Sequence, residues 1–514
     1  MLPRPPRAVP KSRLKYALEM PRGFALNRKT EKLIRRMKKF AAIIAFAAAC
    51  CASLAAEKPW FSASAQNPKE FFAKATDLMR KIYPDPQAEM ALALSLSPLG
   101  YPNFDGVARE NFGIAAFGSP ADPLAFAAVK ASGDSVLFKF AQQTNMRRFE
   151  KGGWLVVQIK GDPSADLSKY ADETIVAASE KDGSMLSLRV RDSEFLASLP
   201  APENPNEKKM FEWFKTAAGG VELAKIALDY DGNSVRVKTD LYARENSDLA
   251  NLINALPLKK RAAEAAFIPQ GFMFSAVSSA NGKAAAGPYK KLMRPLMDSL
   301  GLSPETRNAV FAAIESSSTS ASALDFKPPA QFESVSVAAS AMSLKEIAET
   351  SERANAELAK NLGGTPAELP PFKAQIREID GMEICETSAP AAGAPKMFMA
   401  KEGGYLVSAT SLEAVKAAVE KIKNPPSDYP LKKYAASGAD FAALINNSRI
   451  MKAIFSQFGV DFDGKVDDSE AFAFIERNSV KIRLSARAGV LRAYADIFRK
   501  IAELNAAAAA ESAQ

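Results

Sequence analysis

The chain has 514 residues, with 67 Lys or Arg, 58 Asp or Glu and a formal net charge of +9. It contains no histidine. This excludes Ser-His-Asp and Cys-His nucleophile pairs, histidine general bases and histidine metal sites. The composition therefore lowers the expectation of an enzyme and leaves only Lys, carboxylate and Tyr chemistry.

Residues 1–36 are basic and proline-rich. They carry eleven Lys or Arg, two Glu and five Pro, with no sustained apolar period. The n-region of a signal peptide is normally short. We expect this segment to be a non-native upstream extension, with Met37 as the true initiator, and an unusually long n-region is the alternative.

Residues 37–55 have the layout of a secretory signal peptide. A basic start, Met37-Lys38-Lys39, precedes an unbroken apolar run, and small residues lead to Ala55. This order predicts export, with cleavage at Ala55, to the periplasm or outside the cell. Lipidation at Cys50 is the alternative and would leave the protein lipid-anchored.

Removing residues 1–55 changes the charge and the cysteine content. That segment holds 13 of the 67 basic residues and two of the 58 acidic ones, so 54 basic and 56 acidic residues remain, a net of −2. A near-neutral chain gives no electrostatic case for nucleic-acid binding. Only Cys385 remains, and we expect it to be a small apolar core residue because no histidine can activate it.

The mature chain reads as α+β, with two related modules of mainly antiparallel sheet and packed helices. Asp231-Gly232 and Asp380-Gly381 lie between strand-like runs and predict hairpin turns. Val235, Val237 and Thr239 alternate with Arg236, Lys238 and Asp240, which predicts a strand with one solvated face. In chain order we expect an N-terminal linker and helix at 56–87, a first module at 88–257, a linker at 258–263, a second module at 264–505 and a disordered Ala-rich tail at 506–514. Helices are predicted at 68–83, 207–217, 289–300, 304–316, 343–362, 412–423 and 488–505.

Three short matches predict a tandem internal duplication. They occur in the same order at nearly the same spacing, and chance resemblance among short strand-turn patterns is the alternative. The matched segments are Glu150–Val156 with Lys401–Val407, 251 positions apart, Leu188–Leu196 with Ala443–Met451, 255 apart, and Asn233–Lys238 with Asn478–Arg483, 245 apart.

The densest acidic cluster is a weak calcium candidate. An EF-hand loop would need glycine where Val466 stands, so a solvated turn is the preferred interpretation. Its carboxylates are Asp461, Asp463, Asp467, Asp468 and Glu470.

No motif names an activity. We expect an exported, non-enzymatic protein with a binding, scaffolding or sensing role in the cell envelope, without a cofactor or a catalytic residue. Its partner would be an envelope protein or a small apolar ligand, with no nucleic acid and no transmembrane segment in the mature chain. A binder of lipid or another apolar ligand between the modules is one alternative, and a histidine-independent carboxylate or Lys enzyme is another.

Overall fold

The computed structural model describes residues 59–83, 86–97, 100–118, 122–191, 202, 205–258, 262–316, 318–327, 331–361, 373–388, 396–457, 462 and 464–511. The upstream extension, the signal peptide with Cys50 and Ala55, and residues 259–261 of the predicted linker lie outside these ranges. The interpretations of those segments therefore stay predictions.

The first half of the described chain alternates strands and helices. Asn67 caps the first helix by accepting a hydrogen bond from the Glu70 backbone N–H at 3.0 Å, and Pro68 occupies the first turn. In chain order the elements are β1 (Phe61–Ala65), α1 (Pro68–Ile82), α2 (Pro86–Leu96), β2 (Phe112–Gly118), β3 (Pro123–Lys130), α3 (Val136–Gln143), β4 (Arg148–Lys151), β5 (Trp154–Lys160), α4 (Leu167–Ser179), β6 (Leu186–Arg191), α5 (Pro205–Ala218), β7 (Val221–Tyr230), β8 (Ser234–Ala243) and α6 (Asp248–Ala255).

The second half begins with a 3₁₀ turn at Ala263–Ala266. The predicted helix at 412–423 is confirmed, and its predicted cap Ser411 accepts a hydrogen bond from the Ala414 backbone N–H at 3.2 Å. The elements are β9 (Phe274–Ser279), α7 (Gly282–Ser299), α8 (Pro304–Ser316), β10 (Thr319–Lys327), β11 (Gln331–Ala339), α9 (Leu344–Asn361), β12 (Lys373–Ile379), β13 (Met382–Ser388), β14 (Met397–Glu402), β15 (Tyr405–Ala409), α10 (Leu412–Lys423), α11 (Lys432–Ala435), β16 (Phe441–Ile445), α12 (Asn447–Gln457), β17 (Ser469–Glu476), β18 (Ser479–Arg487) and α13 (Ala488–Glu511).

The predicted hairpins are confirmed. Asp231-Gly232 joins β7 to β8, and Asp380-Gly381 joins β12 to β13. Gly232 has φ of +95°, a conformation that glycine adopts without steric cost. The chain is α+β, as predicted.

The 18 strands that the structure describes join one sheet, and every pairing between them is antiparallel. The first half contributes the order β4-β5-β3-β2-β1-β6-β7-β8. The second half contributes β14-β15-β11-β10-β9-β16-β17-β18, with the β12–β13 hairpin added outside β14. The two runs meet where β8 pairs with β18.

Three features differ from the predicted layout. Residues 506–511, predicted to belong to a disordered Ala-rich tail, continue helix α13. The segment 56–87 contains β1, which pairs with both β2 and β6 and is therefore an internal strand of the sheet. The two halves also share one continuous sheet through β8 and β18. The duplication itself is not established by this arrangement.

Helices cover each side of the sheet unevenly. On one side, α4 packs over β2, β3 and β5, while α10 and α11 pack over the second half. On the other side, α1 and α13 cover one end of β7 and β8, and α6 covers the opposite end of β17 and β18. Within the described ranges, no helix is both long enough and apolar enough to cross a bilayer.

Candidate functional site

The junction between the two halves places cations from distant parts of the chain together. Ser234–Tyr242 of β8 pairs with Ser479–Arg487 of β18, and Lys238 lies directly opposite Arg483. Arg236 and Lys481 lie two residues away on either strand, so they share the same face of the sheet. The alternation predicted for β8 is confirmed, because Val235 packs in the apolar cluster on the opposite face.

We call the solvated face of β6, β7, β8, β17 and β18 the junction surface. Its side chains follow from the strand registers and are mostly half-buried or exposed, for example 49% exposed for Arg236 and 31% for Arg483. Eight of the charged side chains are cationic and four are acidic, so positive charge is in excess here, whereas the predicted mature chain is nearly neutral. They are Arg189, Arg191, Lys225, Arg236, Lys238, Lys481, Arg483 and Arg487, with Asp229, Asp240, Glu470 and Glu476.

Ion pairs neutralise only part of this charge. Five of the eight cations form ion pairs, namely Arg483 with Asp240, Arg236 with Asp231 in the hairpin turn, Lys481 with Glu476, Arg487 with Asp467 and Arg189 with Glu180. Lys238 makes no ion pair with any other residue that the structure describes. The charge of Lys238 is therefore available to a ligand from solvent.

Arg189 and Ser187 are adjacent polar positions on β6. Arg189 is 8% exposed, and its Nη1 pairs with Glu180 at the end of α4. Among the described residues, its Nε and the Ser187 hydroxyl have no hydrogen-bond partner. A buried polar group left unpaired costs about 1–3 kcal/mol, so two of them on one face need an explanation.

Lys225 adds to the free-energy cost of burying polar groups on this face. It lies opposite Arg189 in the β6–β7 register and also contacts the ring of Tyr242, with Nζ 5.5 Å from the centroid. Burial lowers the pKa of Lys225, and the neighbouring Arg189 lowers it further. The fold therefore holds two cations side by side where burial disfavours their charge.

A close helix–sheet approach fixes this arrangement. Gly113 lies under the end of α4, where a Cβ atom would stand 2.3 Å from the Ala63 oxygen and 2.9 Å from the Ala178 Cα. Only glycine admits this approach, which brings Glu180 to Arg189.

Asp467, Asp468 and Glu470 of the acidic cluster line a polar groove of about 310 Å³ at one end of the junction surface. Asp467 pairs with Arg487 at 3.5 Å, and Lys433 and Tyr434 donate to Glu470 Oε1 at 2.5 and 2.9 Å. Burial raises the pKa of Asp468, and Asp467 raises it further.

No set of three or more His, Cys, Asp or Glu in the described part of the chain is placed to hold a metal ion. Asp461 and Asp463 lie outside that part, so the calcium site remains a prediction. The carboxylate of Glu470 already accepts hydrogen bonds from Lys433 and Tyr434. Although burial raises the pKa of Glu470, the hydrogen bonds from Lys433 and Tyr434 outweigh that effect and lower it.

The cysteine and the two aromatic residues that follow Gly-Gly turns pack in or against the apolar cores. Cys385 is fully buried beside Leu344 and Met399, as expected for a small apolar core residue, and burial raises the pKa of its thiol. Trp154 and Tyr405 follow Gly-Gly turns and pack against the cores of their halves. A second, open groove of about 490 Å³ is lined by Asp77 and Tyr230.

The opposite face of the junction is apolar and partly open. Ile226, Ile482 and Leu484 are 41%, 43% and 37% exposed, although they lie on interior strands. Large apolar side chains in the middle of a sheet are usually covered. Three of them exposed side by side on one face therefore indicate a contact surface.

Comparison with protein-family models, curated proteins and solved structures gives no match to this chain. The function is therefore inferred from the site alone. Sequence reasoning found the solvated face of β8. It missed Arg189, Lys225 and Arg483, because only the strand registers bring these residues together.

Proposed function

We propose, first, that the mature chain is a tandem duplication whose halves share one sheet about a pseudo-twofold axis. The strand registers support this. Asp229 pairs with Arg236 in the first half, and Phe474 pairs with Lys481 in the second. Each residue of the second pair lies 245 positions after its counterpart in the first pair. These are the spacings of the sequence matches, as a duplication requires.

The other registers agree. Lys151 pairs with Trp154 in the first half, and Glu402 pairs with Tyr405 in the second. Each residue of the second pair lies 251 positions after its counterpart in the first pair. The registers also align Phe61-Ser62-Ala63 of β1 with Phe274-Ser275-Ala276 of β9. The proposed repeat therefore starts at β1, before residue 88.

We further propose that the protein is an exported, non-enzymatic binding protein of the cell envelope. The junction surface would bind an acidic ligand, such as an acidic segment of another envelope protein. The observation that carries this proposal is Lys238. It has no ion-pair partner among the described residues and lies on an open face of the sheet beside Arg236, Lys481 and Arg483, each of which pairs with one carboxylate. Clustered charge of one sign attracts ligands of the opposite sign and sets their orientation.

A titration of fluorescein-labelled hexaglutamate with the mature chain tests the proposal. At low ionic strength we expect saturable binding that weakens with added salt, and Lys238→Met should weaken it about fivefold, or roughly 1 kcal/mol. The matched control Lys139→Met removes an exposed lysine on α3 and should bind normally. Equal binding by all three proteins would overturn the proposal.

A binder of lipid or another apolar ligand is the second candidate. The exposure of Ile226, Ile482 and Leu484 across the junction favours it. The test is native mass spectrometry of protein purified from its envelope fraction. A lipid retained by the wild type but lost with Ile482→Ser would support this function, whereas protein free of bound lipid would exclude it.

A carboxylate- or Lys-dependent enzyme is the third candidate. Its reacting groups would lie in the groove beside Asp468 and Glu470. The commitment of Glu470 to Lys433 and Tyr434 favours a structural role, so this candidate ranks last.

A further inference from the structure

We infer that Arg189, Lys225 and Ser187 form a specific site for one carboxylate group of a ligand at the edge of the junction surface. The inference deepens the proposed function, because it names the group that the surface recognises. It stands on the strand register and on unpaired buried polar atoms, and not on the general charge of the surface.

The first step is the guanidinium of Arg189. Glu180 occupies Nη1, which leaves Nε without a partner among the residues described. The Nε edge of a guanidinium is one of the two that bind a carboxylate through paired N–H donors. Arg189 is also held by burial, so a ligand would meet a donor that is already oriented.

The second step is the surroundings of that edge. Lys225 lies directly opposite Arg189 on β7, and the Ser187 hydroxyl lies two residues along β6 on the same face. The register thus places three donors at neighbouring positions on one face of two adjacent strands. Burial and the repulsion from Arg189 disfavour the charge of Lys225, and the negative charge of a bound carboxylate would offset the repulsion.

The third step is the class of anion. Glu180 pairs with Arg189, and Asp240 and Asp182 act on Lys225 from β8 and the loop before β6. These carboxylates already offset part of the positive charge. A singly charged planar carboxylate fits the remaining charge and the guanidinium edge better than a dianionic phosphate does.

The experiment follows the Arg189 Nε–Hε signal by ¹⁵N NMR while the mature chain is titrated with succinate. We expect a saturable shift of that signal, which is assigned with Arg189→Lys or, if this variant does not fold, from contacts to the Ser187 protons. Lys225→Met keeps the Arg189–Glu180 pair and should weaken succinate binding at least tenfold. It should also raise Tm without succinate, because it removes a buried cation.

Three results would overturn the inference. The first is an Arg189 Nε–Hε signal that does not shift when succinate is added. The second is an equal shift of that signal in a chloride titration at matched ionic strength. The third is a Lys225→Met variant that binds succinate as tightly as the wild type does. Lys238→Met separates the two proposals. This variant should bind hexaglutamate about fivefold more weakly and keep its succinate response. A wild-type chain that responds to succinate but does not bind hexaglutamate would keep this site and refute the wider function.

Discussion

Lys238 of β8 lies directly opposite Arg483 of β18. Among the described strands, this is the one pairing that joins the two halves of the sheet. In the alignment of the proposed repeats, these two residues are equivalent, since they stand 245 positions apart. A residue that faces its own counterpart marks a twofold axis, as in an isologous dimer interface. The junction surface is therefore centred on the pseudo-axis of the duplication that we propose.

Separately expressed halves should associate. We predict that residues 59–258 and 262–511, co-expressed after removal of 259–261, form a stable one-to-one complex through β8 and β18. Exposed sheet edges pair readily, and the packing of α13 with α1 would add contact between the halves. Size-exclusion chromatography with light scattering gives the masses, and two separate monomers would contradict the prediction.

Gly113→Ala should destabilise the protein by about 3 kcal/mol, because the added methyl group meets the backbone of Ala63 and Ala178. The matched control is Gly489→Ala at the start of α13, where no atom lies within 4 Å of the added Cβ. That change should be neutral or stabilise by up to about 1 kcal/mol. Urea unfolding measures both, and equal effects would show that α4 does not approach the sheet so closely.

Tyr230→Phe should cost about 1 kcal/mol near neutral pH, because the Tyr230 hydroxyl donates to Asp77 Oδ2 at 2.6 Å. This hydrogen bond lowers the pKa of Asp77. A lowered carboxyl pKa stabilises the fold above the unfolded pKa of about 3.9, and this stabilisation is lost as the pH falls through the folded value.

The stability gap between wild type and Tyr230→Phe should therefore close between about pH 5 and pH 2, as measured by urea unfolding. Tyr83→Phe, at the end of α1, is the control and should show a gap that does not change with pH. If the stability difference between wild type and Tyr230→Phe persists in acid, the Tyr230 hydroxyl does not stabilise the fold through Asp77.

Cys385 should react with a thiol reagent at least about 100-fold more slowly in the native protein than in urea, because it is buried and its thiol pKa is raised. The number of reactive thiols in urea also reports on processing. Cleavage at Ala55 predicts one thiol per chain, whereas lipidation at Cys50 would leave Cys51 as a second. Rapid labelling of native protein would contradict the burial of Cys385.

Local patterns predicted local structure well. The turn residues Asp231-Gly232 set the β7–β8 hairpin, and the alternation through Arg236 and Lys238 identified its solvated face. β1 was missed because Phe61–Ala65 is short and rich in Ser and Ala, so it stays in the sheet through its pairing with β2 and β6. The convergence of Arg189 with Lys225 could not be predicted, since it depends on register between strands 30 or more residues apart along the chain.

The most direct test of the account locates the bound acidic ligand. Hexaglutamate is bound to the mature chain, cross-linked to neighbouring lysines with a carbodiimide, and mapped by mass spectrometry. We predict that the adducts concentrate at Lys225, Lys238 and Lys481 of the junction surface. Adducts spread over exposed lysines elsewhere, such as Lys139, would contradict the claim that this surface is the binding site.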